Sequence, residues 1–290
     1  MARIRRVEVV ANLASGGVDE DAPAEMEKAF AARGLVAHVC APATHDLTSC
    51  LRAAVDAAPD LLVTLAGDGT ARIAAELCGP EGPLLAPLPG GTMNMLPRAL
   101  YGARSWQEAL GAILDRGVER PIGGGEVEGR PFLVAAVLGA PALWGPAREA
   151  ARYREPAVAV ARARRALRRA FSGRLRYVID DGERAKAEAL VFMCPHISRV
   201  LESDEPALEA AALDVRGALD AFRLGVHALT GDWRADPAVQ VRRCRSARVW
   251  AAAGVPALLD GELVRLAGQA QVTYRPAVAR MLAIADGVEL

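Results

Sequence analysis

Three short stretches of this chain combine glycine with hydroxyl, amide or carboxylate side chains in a way that suits a phosphate group. Asn12-Leu13-Ala14-Ser15-Gly16-Gly17 offers an amide, a hydroxyl and a flexible backbone, the make-up of a phosphate-cradling nest. Gly67-Asp68-Gly69-Thr70 holds one acid between two glycines, and Pro89-Gly90-Gly91-Thr92-Met93-Asn94 again joins glycines to a hydroxyl donor and an amide. A bare carboxylate repels phosphate, so Asp68 is productive there only through a cation or as an acid/base group. Its purely structural reading is an N-cap for a helix beginning near Thr70.

Each stretch follows a run of β-favouring residues, at 6–10, 61–66 and 84–88. A further strand pattern covers 36–41, and helical patterns cover 22–33, 46–57, 70–77 and 106–115. Alternation of this kind predicts a mostly parallel sheet wrapped by helices, in which ligands sit beyond the carboxyl ends of the strands. Beyond Gly117 the pattern changes to strands at 118–121, 125–137, 174–180, 189–194, 239–244, 247–252 and 271–275, with few helices between them. The expected organisation is therefore an α/β nucleotide-binding domain over 1–118 and an all-β, sandwich-like domain over 119–275. The alanine-rich tail 276–290 is expected to be a helix that packs back on the first domain.

The balance of 35 Lys+Arg against 35 Asp+Glu leaves no global field to recruit nucleic acid. The five cysteines are odd in number and never form a Cys-x-x-Cys pair, and the four histidines lack metal-ligand spacing. Reduced thiols and a cytoplasmic setting follow. The basic start Met1-Ala2-Arg3-Ile4-Arg5-Arg6 leads into a short strand, so neither a signal peptide nor a membrane span is expected. No Gly-x-x-x-x-Gly-Lys-Ser/Thr loop is present and no Gly-x-Gly-x-x-Gly follows the first strand, which sets aside P-loop enzymes and dinucleotide-binding Rossmann proteins by motif.

Asn-x-x-Ser-Gly, Gly-Asp-Gly-Thr and Gly-Thr-x-Asn, in that order and followed by a late Asp260-Gly261-Glu262, resemble the catalytic domain of diacylglycerol kinases and related lipid kinases. The resemblance implies a Rossmann-like nucleotide-binding domain, a second β-sandwich-like domain, and ATP in the cleft between them. It implies that Asn12, Ser15, Gly16, Gly67, Gly69, Thr70, Gly91, Thr92 and Asn94 hold the nucleotide. Asp68 would act at the reacting centre with Mg²⁺, and Glu262 would be the general base that takes the proton of a lipid hydroxyl. Without the resemblance, Asp260-Gly261-Glu262 reads as a hairpin turn with Glu262 facing solvent. The chain departs from the family pattern at Ala66, Arg72, Ile73 and Met95. The family's Asp-Gly-x-Leu-Asp segment, linked to a structural Mg²⁺, stands here as Ala210-Ala211-Ala212-Leu213-Asp214, so that metal site is expected to be absent or altered.

Ten arginines fall between Arg148 and Arg176. At helical spacing they read first as a solvated face with local salt bridges. For a lipid kinase they also offer peripheral contact with anionic membrane. Aromatics make up only 4% of the chain, which disfavours a nucleic-acid platform. Two other readings stay open: a catalytically silent nucleotide- or lipid-binding protein of the same fold, and an NAD kinase, whose family shares Gly-Asp-Gly-Thr.

Overall fold

The computed structural model describes residues 4–42, 46–139, 141–142, 174–202, 205–214, 233–252 and 254–284. The chain divides into two compact units, one formed by Met1–Gly123 with Pro276–Leu290 and the other by Gly124–Arg275.

The first unit alternates β1 (Arg6–Ala11), α1 (Ala22–Ala31), β2 (Val36–Cys40), α2 (Leu47–Asp56), β3 (Leu61–Ala66), α3 (Asp68–Cys78) and β4 (Leu84–Pro89), then adds α4 (Met95–Tyr101) and α5 (Trp106–Arg116). The strands run in the order β2-β1-β3-β4, all parallel. Every residue of β3 is buried, as a central strand covered on both faces requires. α1 carries Pro23 in its first turn and buries Ala22, Met26 and Phe30, one residue per turn, while α5 starts at a capping box between Ser105 and Glu108. Because the strands are parallel, the loops after β1, β3 and β4 emerge from one edge of the sheet.

The tail is not a helix. Residues 276–284 are the end of a sixteen-residue strand, β16 (Gln269–Ile284), in which Met281 pairs in parallel with Leu85 of β4. Val278, Ala279, Met281, Leu282, Ala283 and Ile284 are all buried. A run without a polar side to show to water has no reason to coil as an amphipathic helix, and burial in the sheet overrides the helix propensity of its alanines. The Tyr101 hydroxyl donates to the Leu282 carbonyl at 3.1 Å, which fixes α4 against this strand. Residues 285–290 lie outside the described part.

The strands numbered between β4 and β16 are β5 (Gly117–Val127), β6 (Arg130–Phe132), β7 (Ala135–Gly139), β8 (Leu175–Ile179), β9 (Ala185–Ala187), β10 (Ala189–Met193), β11 (Leu208–Leu213), β12 (Val239–Cys244), β13 (Ser246–Trp250), β14 (Val255–Leu259) and β15 (Glu262–Leu266). All but the first part of β5 lie in the second unit. One antiparallel sheet runs β12-β11-β10-β7-β14-β15. The residues 269–275 of β16 pair with β13, β13 with β8, and β8 with β9, all antiparallel. The fold is thus mixed: a parallel α/β unit followed by an antiparallel β unit, the class that the alternation of patterns predicts.

Candidate functional site

The three glycine loops interlock. Asn12 starts the first by donating its amide to the Leu65 carbonyl of β3 at 2.9 Å, and Gly17 donates to the Gly90 carbonyl at 3.1 Å. Gly90 in turn donates to Ala66 at 3.1 Å. Glycine is obligatory at this crossing, since a Cβ on Gly90 would stand 2.7 Å from the Ala66 nitrogen and one on Gly91 would stand 2.6 Å from the Gly67 Cα. A Cβ on Gly16 would meet the Thr92 hydroxyl oxygen at 3.8 Å, placing the first loop against the third. The structure therefore brings Asn12, Ser15, Gly16, Gly67, Asp68, Gly69, Thr70, Gly91, Thr92 and Asn94 together at the sheet edge, where the sequence predicts a common site.

Several of these side chains shape the loops from within. The Asn12 carboxamide oxygen accepts the Ala14 amide at 3.1 Å, an Asx turn. Asn94, in the left-handed region at φ 51°, closes a ring with Gly91, accepting its amide at 2.7 Å and donating to its carbonyl at 2.9 Å. Ser15 and Thr70 are buried at 8% exposure. Asp68 opens α3, and its carboxylate accepts the Met95 amide at 3.1 Å and the Leu96 amide at 3.0 Å. Asp68 is thus a cap, although not for its own helix. It serves the first turn of α4, a seven-residue helix with Pro97 inside it that sequence periodicity does not reveal.

Gly69 stands apart. A Cβ at this position meets nothing within 4 Å, and its backbone is not left-handed. Neither packing nor conformation within the protein asks for glycine there. The space above it adjoins the first turn of an eleven-residue helix whose N-cap, Gly67, supplies no side-chain acceptor. Leu13 and Met93, on the neighbouring loops, are 38% and 47% exposed and give the rim an apolar surface that the sequence motifs do not single out. Arg72, one turn beyond Asp68 on α3, is buried and pairs with Glu76 at 3.1 Å. A separate cavity of about 350 Å³ opens beside Asp60, just before β3, and Leu84, the first residue of β4, at the opposite edge of the sheet from these loops.

In the second unit, Asp260 and Gly261 form a two-residue turn at φ 45° and 92° between β14 and β15. The Asp260 carboxylate accepts the amides of Leu133, Val134 and Ala135 at 2.6, 2.8 and 2.9 Å, so the aspartate anchors the hairpin. Glu262, the first residue of β15, pairs with Leu259 and is exposed.

Among the described residues no group of three or more His, Cys, Asp or Glu is placed to hold a metal ion. A magnesium ion that arrives on nucleotide phosphates needs one or two carboxylates, and the carboxylate among these loops is Asp68, each of whose oxygens already accepts one backbone amide. The structural Mg²⁺ implied for the Asp214 segment does not fit. Asp214 is ion-paired with Arg174, whose Nε also lies 3.6 Å from Glu188. Burial and the neighbouring Asp214 raise the Glu188 carboxyl while Arg174 draws it down, burial being the largest effect. A guanidinium thus already neutralises the acids of this segment.

All five cysteines are free thiols, and burial pushes Cys78 up to about 12. His196 is buried with Nε2 2.7 Å from the Leu133 carbonyl. Of the arginine-rich stretch, Arg148 through Arg169 lie outside the described residues; Arg174 and Arg176 are described. No helix among the described residues is long and apolar enough to cross a membrane.

Residues 6–127 match the sequence model of the diacylglycerol kinase catalytic domain. No curated protein matches the chain. A diacylglycerol kinase from Bacillus anthracis str. Sterne shares the fold at TM-score 0.71 and 14% identity, with 99% of this chain and 100% of that one covered. An NAD kinase from Archaeoglobus fulgidus, solved in complex with ATP, aligns at TM-score 0.56 and 11% identity over 97% of this chain and 94% of its own. The three glycine loops, joined at one edge of a parallel sheet, all stand within residues 6–127, the stretch that matches the diacylglycerol kinase catalytic-domain model.

Proposed function

We propose that the protein is an ATP- and Mg²⁺-dependent lipid kinase that moves the γ-phosphoryl group of ATP to the hydroxyl of diacylglycerol or a similar lipid. The observation that carries this reading is Gly69, a glycine for which the protein itself has no steric or conformational use. A phosphate lying over the first turn of α3 supplies the use, because the free amides and the dipole of a helix start favour an anion that a Cβ would hold away. Gly16, Thr92 and Ser15 surround the same edge, and Leu13 and Met93 offer apolar surface to a base.

Phosphoryl transfer asks chiefly for positioning and charge neutralisation. Mg²⁺, when bound, neutralises phosphate charge. Asp68 holds α4 through two amides and so keeps the third loop in register with the second. Glu262 is assigned as general base by its place in Asp-Gly-Glu, on a hairpin that Asp260 braces. The protein acts in the cytoplasm, touching membrane at its surface.

The test is transfer of labelled γ-phosphate from ATP into a mixed lipid extract by the full chain. Label is expected in a lipid product, and Asp68→Asn and Glu262→Gln are each expected to remove it. Transfer surviving both substitutions would show the catalytic assignment to be wrong. The double engagement of Asp68 by backbone amides favours a second reading, a nucleotide-binding protein without transferase activity. Thermal stabilisation by Mg-ATP with no labelled lipid would select it, and labelled NADP formed from NAD would select an NAD kinase.

A further inference from the structure

The second unit carries a cationic sheet face with no part in the phosphate site. On β8, Arg176 stands opposite Lys186 of β9 and opposite Trp250 of β13. Arg248 of β13 stands opposite Val178 of β8 and Gln271 of β16. Directly opposed residues and residues two apart project to the same side of a sheet. Lys186, Arg176, Trp250, Arg248, Gln269 and Gln271 therefore share one face. The alternate positions Leu175, Tyr177, Ala247, Val249, Ala270 and Val272 are buried, which makes the cationic side the outer one.

Arg184, immediately before β9, leans on the same aromatic ring. The guanidinium carbons of Arg184 and Arg248 both lie 5.8 Å from the centre of the half-buried Trp250 indole. Stacking on tryptophan holds the two charges in place without neutralising them. Arg176, Arg184, Lys186 and Arg248 are all exposed, and the outward positions of β9, β8, β13 and the 269–273 part of β16 include no carboxylate. Asp180, just beyond the end of β8, accepts the amides of Arg245 and Ser246 on one carboxylate oxygen. Asp181 and Glu183 sit on the β8–β9 turn, outside the strands. The face spans four strands, roughly 14 Å across at the usual strand spacing.

We infer that this face docks the protein on an anionic phospholipid bilayer, with Arg176, Arg184, Lys186 and Arg248 among the headgroups and Trp250 at the level of the interface. The inference rests on the lipid-kinase reading, since an enzyme with a bilayer-held substrate needs a surface that keeps it there. The chemistry points to a membrane and away from nucleic acid. Sequence-tolerant binding of single strands uses successive open rings on which bases stack, whereas this face has one indole flanked by cations. Tryptophan beside spread basic side chains suits a membrane interface, where each cation near the surface adds to the attraction.

Sedimentation of the full chain with vesicles tests it. The protein is expected to pellet with an equal mixture of phosphatidylglycerol and phosphatidylcholine and to stay in solution with phosphatidylcholine alone. The double substitution Arg176→Glu with Arg248→Glu, at exposed positions, is expected to lower the affinity for the mixed vesicles by roughly tenfold or more, and Lys186→Glu alone to lower it less. Both variants should melt like the parent and phosphorylate lipid presented in neutral detergent micelles as well as the parent does. Equal pelleting on the two vesicles, undiminished pelleting of the double variant, or tighter binding to a single-stranded oligonucleotide than to mixed vesicles would overturn the proposal. If no lipid is phosphorylated in micelles but vesicle binding depends on these residues, the kinase reading fails and the docking face stands.

Discussion

Gly69 and Asp68 are neighbours with opposite obligations. A Cβ on Gly69 would meet nothing within 4 Å, so Gly69→Ala is expected to leave stability unchanged or raise it by up to about 1 kcal/mol, because alanine suits a helix better than glycine. The same methyl is expected to weaken Mg-ATP binding by roughly tenfold or more, as overpacking of a close contact does. Calorimetry beside a thermal melt checks both halves, and unchanged binding would remove the phosphate from this position. Asp68 is bound on both oxygens, so Asp68→Asn replaces one acceptor with a donor facing an amide. It is expected to lower stability by about 1–2 kcal/mol even without nucleotide. Glu262→Gln, at an exposed position, should leave the melt alone while abolishing transfer. The three motifs were legible because glycine, amide and hydroxyl residues after apolar runs have few other uses. That Asp68 caps α4 was not legible, since the partner amides lie 27 and 28 positions away in the chain.

At the scale of elements, alternating patterns located β1 to β4 and the helices between them to within a residue or two. Local periodicity did not mark β9, β14 or β15 as strands, and it failed at three further elements for physical reasons. α4 is short and carries a proline. The alanine-rich β11 has too little side-chain character to declare itself. The tail of β16 has helix-favouring composition but is enclosed by sheet, and only its neighbours decide its state. The ion-pair cluster that precedes β8 gives a further prediction. Arg174→Ala is expected to cost on the order of 1 kcal/mol at neutral pH, a small value because the arginine is 40% exposed. The Glu188 carboxyl is raised above its ordinary value, so it binds a proton more readily folded than unfolded. Its contribution to stability therefore falls as pH rises from the ordinary glutamate range through the raised value. Without Arg174 the group rises further, and the variant's deficit should be larger at mildly alkaline than at mildly acidic pH in urea melts. The nucleotide-free parent should melt alike with EDTA or with Mg²⁺, because a guanidinium supplies the positive charge in this segment.

The whole molecule is electrically balanced, with 35 basic and 35 acidic residues, so attraction to an anionic surface has to be local. Screening in physiological salt reaches about 8 Å, and vesicle binding through the β8–β13 face is expected to weaken steeply as salt is added. Residue types and their order determined by themselves that three glycine loops would meet at the carboxyl edge of a parallel sheet, that a β-rich part would follow, and which family the loops resemble. These are local matters: strand and helix periods, turn chemistry and motif spacing are written within a few residues of each other. Only the tertiary structure decided that Asp68 serves a second helix, that the tail joins the sheet, that Arg174 stands among the acids of the Asp214 segment, and that cations from three strands gather around Trp250. Each of these depends on which distant strands and loops become neighbours, and that is settled by burial of apolar faces across the whole chain.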